Sequence, residues 1–310
     1  MPGYLKHCVI SCKLKQERPP APVRFPGPVA ERKWPRLRKA TPADLDTLVA
    51  FRHEAYGGSK AEIAGWLQNI VGIDNVFLVE QEGAQGGLVS MVCAVPVELR
   101  GRRGVWLCGM ATAPQFRGRG LMTRLLDGCL RAFSASGFEF AVAVPETARA
   151  AARLRGLQFA DAFALRILRR PIARNLWARA EFDAMTVRRL MDTRLRYQPG
   201  CVTLPEQSMN EVVSQLYHRG VTIVSNQRGY GLYYVRGGSL QFVELQADND
   251  HSADILLEAA REHTGCETAQ IILTENQSLY LGEGKRCGYG MLRFLQKPFP
   301  LTDVYFRLLV

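Results

Sequence analysis

The chain has 310 residues, 47% hydrophobic and 9% aromatic, enough for two domains of ordinary size with buried cores. No apolar run approaches the length of a membrane span, and the eight cysteines are scattered without a CxxC pair, which reads as reduced thiols rather than a disulfide framework or a zinc site. The net charge of +11 invites a nucleic-acid partner, but ten Lys/Arg against two Glu in residues 1–40 carry +8 of it and leave only +3 for residues 41–310.

Residues 1–34 are expected to be a basic, Pro-rich, disordered tail; seven of the sixteen prolines fall in the first forty residues, and such a segment cannot bury a core. One reading makes it an arm for nucleic acid or a membrane surface, the other a plain extension. The nearly neutral remainder favours the extension. With no signal peptide in view, the expected setting is cytoplasmic, without a membrane or nucleic-acid partner.

From Pro35 the elements follow in order. Arg36–Ala40 reads as a strand, and Thr41-Pro42-Ala43-Asp44 as a helix start, with a capping threonine, proline at the first position and an acid in the first turn. Leu45 to Gly57 continues that helix, and Ile63, Trp66, Leu67 and Ile70 mark a second one ending near Gly72. Val76–Glu80, Gly87–Val97 and Val105–Thr112 are predicted strands. A helix with apolar Leu121, Leu125, Leu126, Cys129, Leu130 and Phe133 follows, then a β-rich run Phe138–Val144, a helix Glu146–Arg155 and a strand Phe159–Arg169.

Between the fourth strand and its helix stands Gln115-x-x-Gly118-x-Gly120. Two glycines at a strand-to-helix turn let backbone N–H groups converge on an anion at the positive end of a helix. Thr123 stands where a dinucleotide-binding G-x-G-x-x-G loop needs its third glycine, and no lysine follows Gly120 as a Walker loop requires. With the preceding strand, Pro114 and the following helix, the pattern resembles the acyl-CoA pyrophosphate loop, Q/R-x-x-G-x-G/A, of the GNAT N-acetyltransferase superfamily. The resemblance covers about residues 36–172. It implies an α/β (α+β) fold, a mixed, mostly antiparallel sheet flanked by helices.

The resemblance also implies roles. Acetyl-CoA would be the co-substrate, with no metal. The Met110, Ala111 and Thr112 backbone would line the pantetheine, the Met110 N–H would polarise the thioester carbonyl, and Gln115, Arg117, Gly118, Arg119, Gly120, Leu121 and Met122 would form the pyrophosphate loop. Many members protonate the leaving thiolate with a tyrosine in a Y-x-x-x-G-F pattern. Here Ala151 to Phe159 keeps only the Gly156 and Phe159 end of it, with Ala, Arg and Leu where tyrosine is expected, and no tyrosine stands between Tyr56 and Tyr197. Nor does the strand before the loop carry an early carboxylate. Glu54, Glu98 and His53 are the remaining base candidates, each also readable as a surface or helix-face residue. Cys108 is a conceivable nucleophile, though a buried strand cysteine is the commoner case and the family transfers directly.

Residues 173–198 read as a basic helical connector, and from 199 to 310 the order of elements repeats: a helix around Val212–Tyr217, strands at Val221–Val224, Leu232–Val235 and Leu240–Leu245, a helix His251–Glu262, and strands at Gln270–Leu273 and Tyr289–Leu295. The matching loop, Gln246-Ala247-Asp248-Asn249-Asp250-His251-Ser252, has no glycine. The expectation is two tandem domains, a catalytic one at 35–172 and a degenerate GNAT-like one at 199–310. The Asp248–Asp254 cluster is readable as a metal site, but helix capping by Asn249, Asp250 or Ser252 explains it with less. Tyr230, Tyr233 and Tyr234 could line an acceptor cleft, with strand core the plainer reading. The acceptor is expected to be a small-molecule or peptide amine, and the protein a monomer or homodimer.

Overall fold

The computed structural model describes residues 36–81, 87–174 and 177–309; the basic tail lies outside them. By packing, the chain divides into two compact units.

The first unit comprises the described residues up to Val95 with Leu107–Ala135 and Pro145–Gln158. It contains β1 (Arg36–Lys39), α1 (Leu45–Tyr56), α2 (Lys60–Gly65), β2 (Val76–Glu80), the start of β3 (Leu88–Leu99), the end of β4 (Arg102–Thr112), α3 (Leu121–Ala135) and α4 (Ala148–Gly156). β2 lies between β1 and β3, antiparallel to both. The predicted start of α1 is closed in two ways. A 3-10 turn at Pro42–Asp44 leads in, and the Asp44 carboxylate accepts from the Thr41 N–H at 2.7 Å and the Thr41 hydroxyl at 2.9 Å. The Arg38 guanidinium forks onto Asp44 at 2.7 Å and Glu80 at 2.5 Å, fixing this turn to β2. α3 turns Leu121, Met122, Leu125, Leu126, Cys129 and Leu130 inward at helical spacing, and Phe133 meets Phe77 of β2 edge to face at 5.8 Å.

The second unit comprises Pro96–Trp106, Ser136–Val144 and the chain from Phe159. After the remaining parts of β3 and β4 come β5 (Phe140–Ala143), β6 (Ala160–Pro171), β7 (Glu181–Phe182), α5 (Val187–Tyr197), β8 (Gly200–Cys201), α6 (Glu206–His218), β9 (Thr222–Asn226), β10 (Gly229–Arg236), β11 (Ser239–Ala247), α7 (Asp250–Thr264), β12 (Thr268–Thr274), β13 (Lys285–Phe294) and β14 (Val304–Tyr305). Its main sheet continues from β5 in the order β5-β13-β6-β12-β11-β10-β9-β7. β13 is antiparallel to both neighbours, Leu292 opposing Val142 on one side and Ala160 on the other. The parallel pair β11 and β12 is joined through α7, as a parallel connection requires. Their core includes Tyr233, Phe242, Leu245, Leu256, Leu257, Ile271 and Leu273.

Two expectations need correction, and one strand pair was not foreseen. Helix in the connector begins only at Val187, where the Thr186 hydroxyl caps it; earlier, Glu181–Phe182 is a strand against β9. The short parallel pair β8–β14 gave no readable period at two residues each. Among the described cysteines, Cys93, Cys108, Cys129, Cys201 and Cys266 are free, but Cys287 is disulfide-bonded, against the expectation of reduced thiols throughout.

Candidate functional site

β4 changes character along its length. Val105, Trp106 and Leu107 are buried, whereas Cys108, Gly109 and Met110 are each half-exposed, although they sit in a strand interior to the sheet order. Gly109 has a φ of +58°, and a β-carbon there would stand 3.1 Å from both the Arg52 Nη1 and the Cys93 Sγ. Glycine is thus required by backbone and neighbours together. Over this stretch lies the face of α1 that carries Arg52 and Tyr56, one helical turn apart. The Tyr56 hydroxyl donates to the Met110 carbonyl at 2.6 Å. Trp66, at the start of a π-helical turn (Trp66–Val71), presents its ring 3.9 Å from the Arg52 guanidinium carbon. Turns of that type recur at functional sites.

Past Met110 the strand is held to β3 by side chains. The Ser90 hydroxyl donates to the Ala111 carbonyl and bonds the Thr112 hydroxyl, both at 3.0 Å. A 3-10 turn at Pro114–Phe116 leads to the glycine pair, with Gly118 at φ +79° and Gly120 at +75°. The Arg117 Nε donates back to the Thr112 carbonyl at 3.0 Å, so this arginine braces the turn, while Arg119 lies over Phe116 at 5.3 Å. Gln115 and Arg117 to Gly120 are exposed, and nothing stands within 4 Å of where a β-carbon on either glycine would be. Leu121, Met122 and Thr123, the first three residues of α3, have no intrahelical acceptor for their N–H groups, and among the described residues no other backbone carbonyl takes them. These N–H groups stand at the positive end of a fifteen-residue helix, directly after the two exposed glycines.

The structure brings together Met110, Ala111, Thr112 and the loop residues named from sequence, but not the base candidates. Glu54 is exposed, two residues along α1 from Arg52 and on the opposite side of the helix. The exposed His53 ties its Nδ1 to the Gly58 carbonyl at 2.8 Å at the end of α1. Glu98 falls in the second unit, where its backbone exchanges two bonds with Thr203. Three groups went unnoticed in the sequence, Arg52, Tyr56 and Glu146. Burial, then the negative charge of the exposed Glu146 ahead of α4, pushes the Tyr56 phenol well above its ordinary value, so it keeps its proton. Burial likewise lifts the Cys108 thiol, with Cys93 beside it adding to the effect, which disfavours a thiolate nucleophile. Arg52 and Tyr56 could have been found from their four-residue spacing on one helix face; Glu146 had no local signal.

The second unit closes the corresponding turn. β11 runs almost directly into α7, and the Asn249 side chain accepts from the Ser252 N–H at 2.9 Å. Asp250 accepts from Tyr280 N–H at 2.9 Å, Asp254 pairs with Arg170 at 3.0 Å, and Asp248 with Arg228 at 3.6 Å. The acidic cluster is thus engaged in capping and ion pairs, and among the described residues no three His, Cys, Asp or Glu side chains converge as a metal site would need. Tyr230 and Tyr233 are buried in the core and Tyr234 is half-buried. No helix among the described residues is long and apolar enough to cross a membrane.

Residues 36–156 match the family model of the acetyltransferase (GNAT) domain. No curated protein matches the chain. Among solved structures, a probable N-acyltransferase from Enterococcus faecalis V583 is similar at a TM-score of 0.68 and 15% identity, over 84% of this chain and 72% of that one. A GCN5-related N-acetyltransferase from Kribbella flavida gives 0.66 at 20% identity, over 84% and 72%, and one from Anabaena variabilis 0.66 at 13%, over 84% and 73%. At such identities the likeness is one of fold, a mixed α/β fold with a mostly antiparallel sheet. The chain carries a GNAT-superfamily domain, and that family works on acyl-CoA and an acceptor.

Proposed function

We propose that the protein is an acetyl-CoA-dependent N-acetyltransferase that passes the acetyl group directly to a primary amine of a small molecule or peptide. The observation that carries this reading is the open N-terminus of α3, whose first N–H groups have no carbonyl partner among the described residues, immediately after the partly exposed end of β4. In this reading the pyrophosphate takes those donors and the positive end of α3, pantetheine follows Met110 to Thr112, and the Met110 N–H stabilises the oxyanion formed as the amine attacks. Holding the thioester at Met110 beside the Arg52 and Tyr56 face of α1 supplies the fixed position such a transfer needs.

For the proton steps, Tyr56 is the one tyrosine of the first unit among the described residues. Its protonated phenol beside Met110 stands in for the acid missing from α4 and gives a proton to the departing thiolate. Glu146, whose charge reaches Tyr56 and Cys108, accepts the ammonium proton through water, in preference to Glu54 or Glu98. The second half of the sequence is read as a GNAT-like half whose cofactor turn has been lost.

Acetyl-CoA binding by calorimetry, combined with CoA-thiol release over a panel of amino acids, polyamines, aminoglycosides and peptides, tests the reading. Binding with amine-dependent release is expected. Tight binding without release over the whole panel would overturn it in favour of a non-catalytic acyl-CoA-binding regulator, to which the tyrosine-free α4 already lends some weight.

A further inference from the structure

Arg52 is 8% exposed, yet it makes no hydrogen bond or ion pair to any described residue, and its Nε is completely buried. Among the described residues its partners are the faces of Trp66 at 3.9 Å and Tyr56 at 5.1 Å. Aromatic faces attract a guanidinium but leave its N–H donors at the edge unsatisfied, and an unmet buried donor is costly. Arg194, buried more deeply still at 3% exposure, shows the usual remedy, a carboxylate gripped at 2.5 and 2.9 Å. Beside Arg52 the nearest chemistry is instead the Cys108–Met110 segment, and Gly109 leaves room at the guanidinium edge that a β-carbon 3.1 Å from Nη1 would take.

Resting on the acyltransferase reading, we infer that Arg52 holds a carboxylate of the substrate at the point of acyl transfer. A planar guanidinium held against two rings presents its donors in one plane, the geometry that a planar carboxylate accepts with two oxygens. A phosphate dianion would call for more positive charge than this single cation supplies. Two sources have that chemistry: an acceptor that is an α-amino acid or a peptide C-terminus, and an acyl group ending in a carboxylate.

Matched substrates separate the sources. Amino acids are compared with their amides using acetyl-CoA, and succinyl-CoA with butyryl-CoA using one neutral amine. In whichever pair contains the ligand, the acid is expected to exceed its neutral partner in kcat/KM by about 100-fold, through KM. In Arg52→Met the ratio should fall toward one, with Arg52→Lys between. The melting temperature of Arg52→Met should equal or exceed that of the parent, because a buried donor without partners has gone; should this variant fail to fold, Arg52→Lys carries the comparison.

A ratio near one in the parent for both pairs, or a high ratio unchanged in Arg52→Met, overturns the inference while leaving N-acetyl transfer intact. If no substrate turns over, thermal shifts decide. Stabilisation by the amino acids over their amides in the presence of CoA, or by succinyl-CoA over butyryl-CoA, that is lost in Arg52→Met supports the carboxylate site even as the acyltransferase reading fails. Equal shifts for acid and neutral partners overturn it.

Discussion

The N-termini of α3 and α7 begin from similar positions, each after a long strand, and end in opposite states. α3 opens through two left-handed glycines onto donors that no described residue satisfies. α7 is closed by Asn249, and Asp250 beside it is committed to the Tyr280 N–H. The buried arginines repeat the contrast: Arg52 has only aromatic faces, whereas Arg194 sits in a network where Glu244 also accepts from Tyr305 at 2.8 Å and from Gln246 at 3.2 Å. A region built for stability satisfies its own polar groups; a region built to bind leaves some for the ligand.

The comparison breaks most visibly at Arg194. Arg194→Met leaves Glu244 buried without its cation, and a loss of about 3–5 kcal/mol in urea unfolding is expected, against no loss for Arg52→Met. Equal losses would erase the distinction between the two arginines. Next in size, Gly118→Glu with Gly120→Glu should weaken acetyl-CoA binding by about 100-fold in calorimetry, because two carboxylates and strained backbone enter the anion site. Unchanged affinity would show that the open turn does not hold the pyrophosphate.

Asn249→Ala should cost about 1 kcal/mol of stability, the ordinary worth of an N-cap, with no effect on CoA affinity. The smallest effect sharpens the comparison within the first unit, where α1, unlike α3, is closed by its own side chains. Arg38 holds the Asp44 carboxyl well below the usual carboxylate range, so its contribution is complete above the ordinary value of 3.8 and is lost as pH falls toward the depressed folded value. With both side chains partly exposed, about 0.5 kcal/mol is expected. The stability gap between the parent and Asp44→Asn, measured in urea at pH 7, should shrink at pH 3.

What was legible in the sequence was local. The Thr41–Asp44 start, the α3 stripe from Leu121 to Leu130 and the Gly118/Gly120 turn all follow from spacing and backbone preference, and each is found where the residues indicated. What was hidden depends on pairing between distant residues. Nothing in Lys285–Phe294 says that it joins β5 and β6, and nothing in Val144–Thr147 says that Glu146 acts on Tyr56. Arg52 was missed for a related reason: an arginine on an amphipathic helix reads as solvated until its neighbours are known.

The seat of β13 between β5 and β6 has a consequence for how the protein is made. Its partners lie more than a hundred residues earlier, so on the ribosome the edges of β5 and β6 that face β13 wait unpaired through roughly the second half of synthesis. The nascent chain therefore presents sticky edges for many seconds and is a natural client for chaperones. A chain cut short near residue 172 would keep those edges for good.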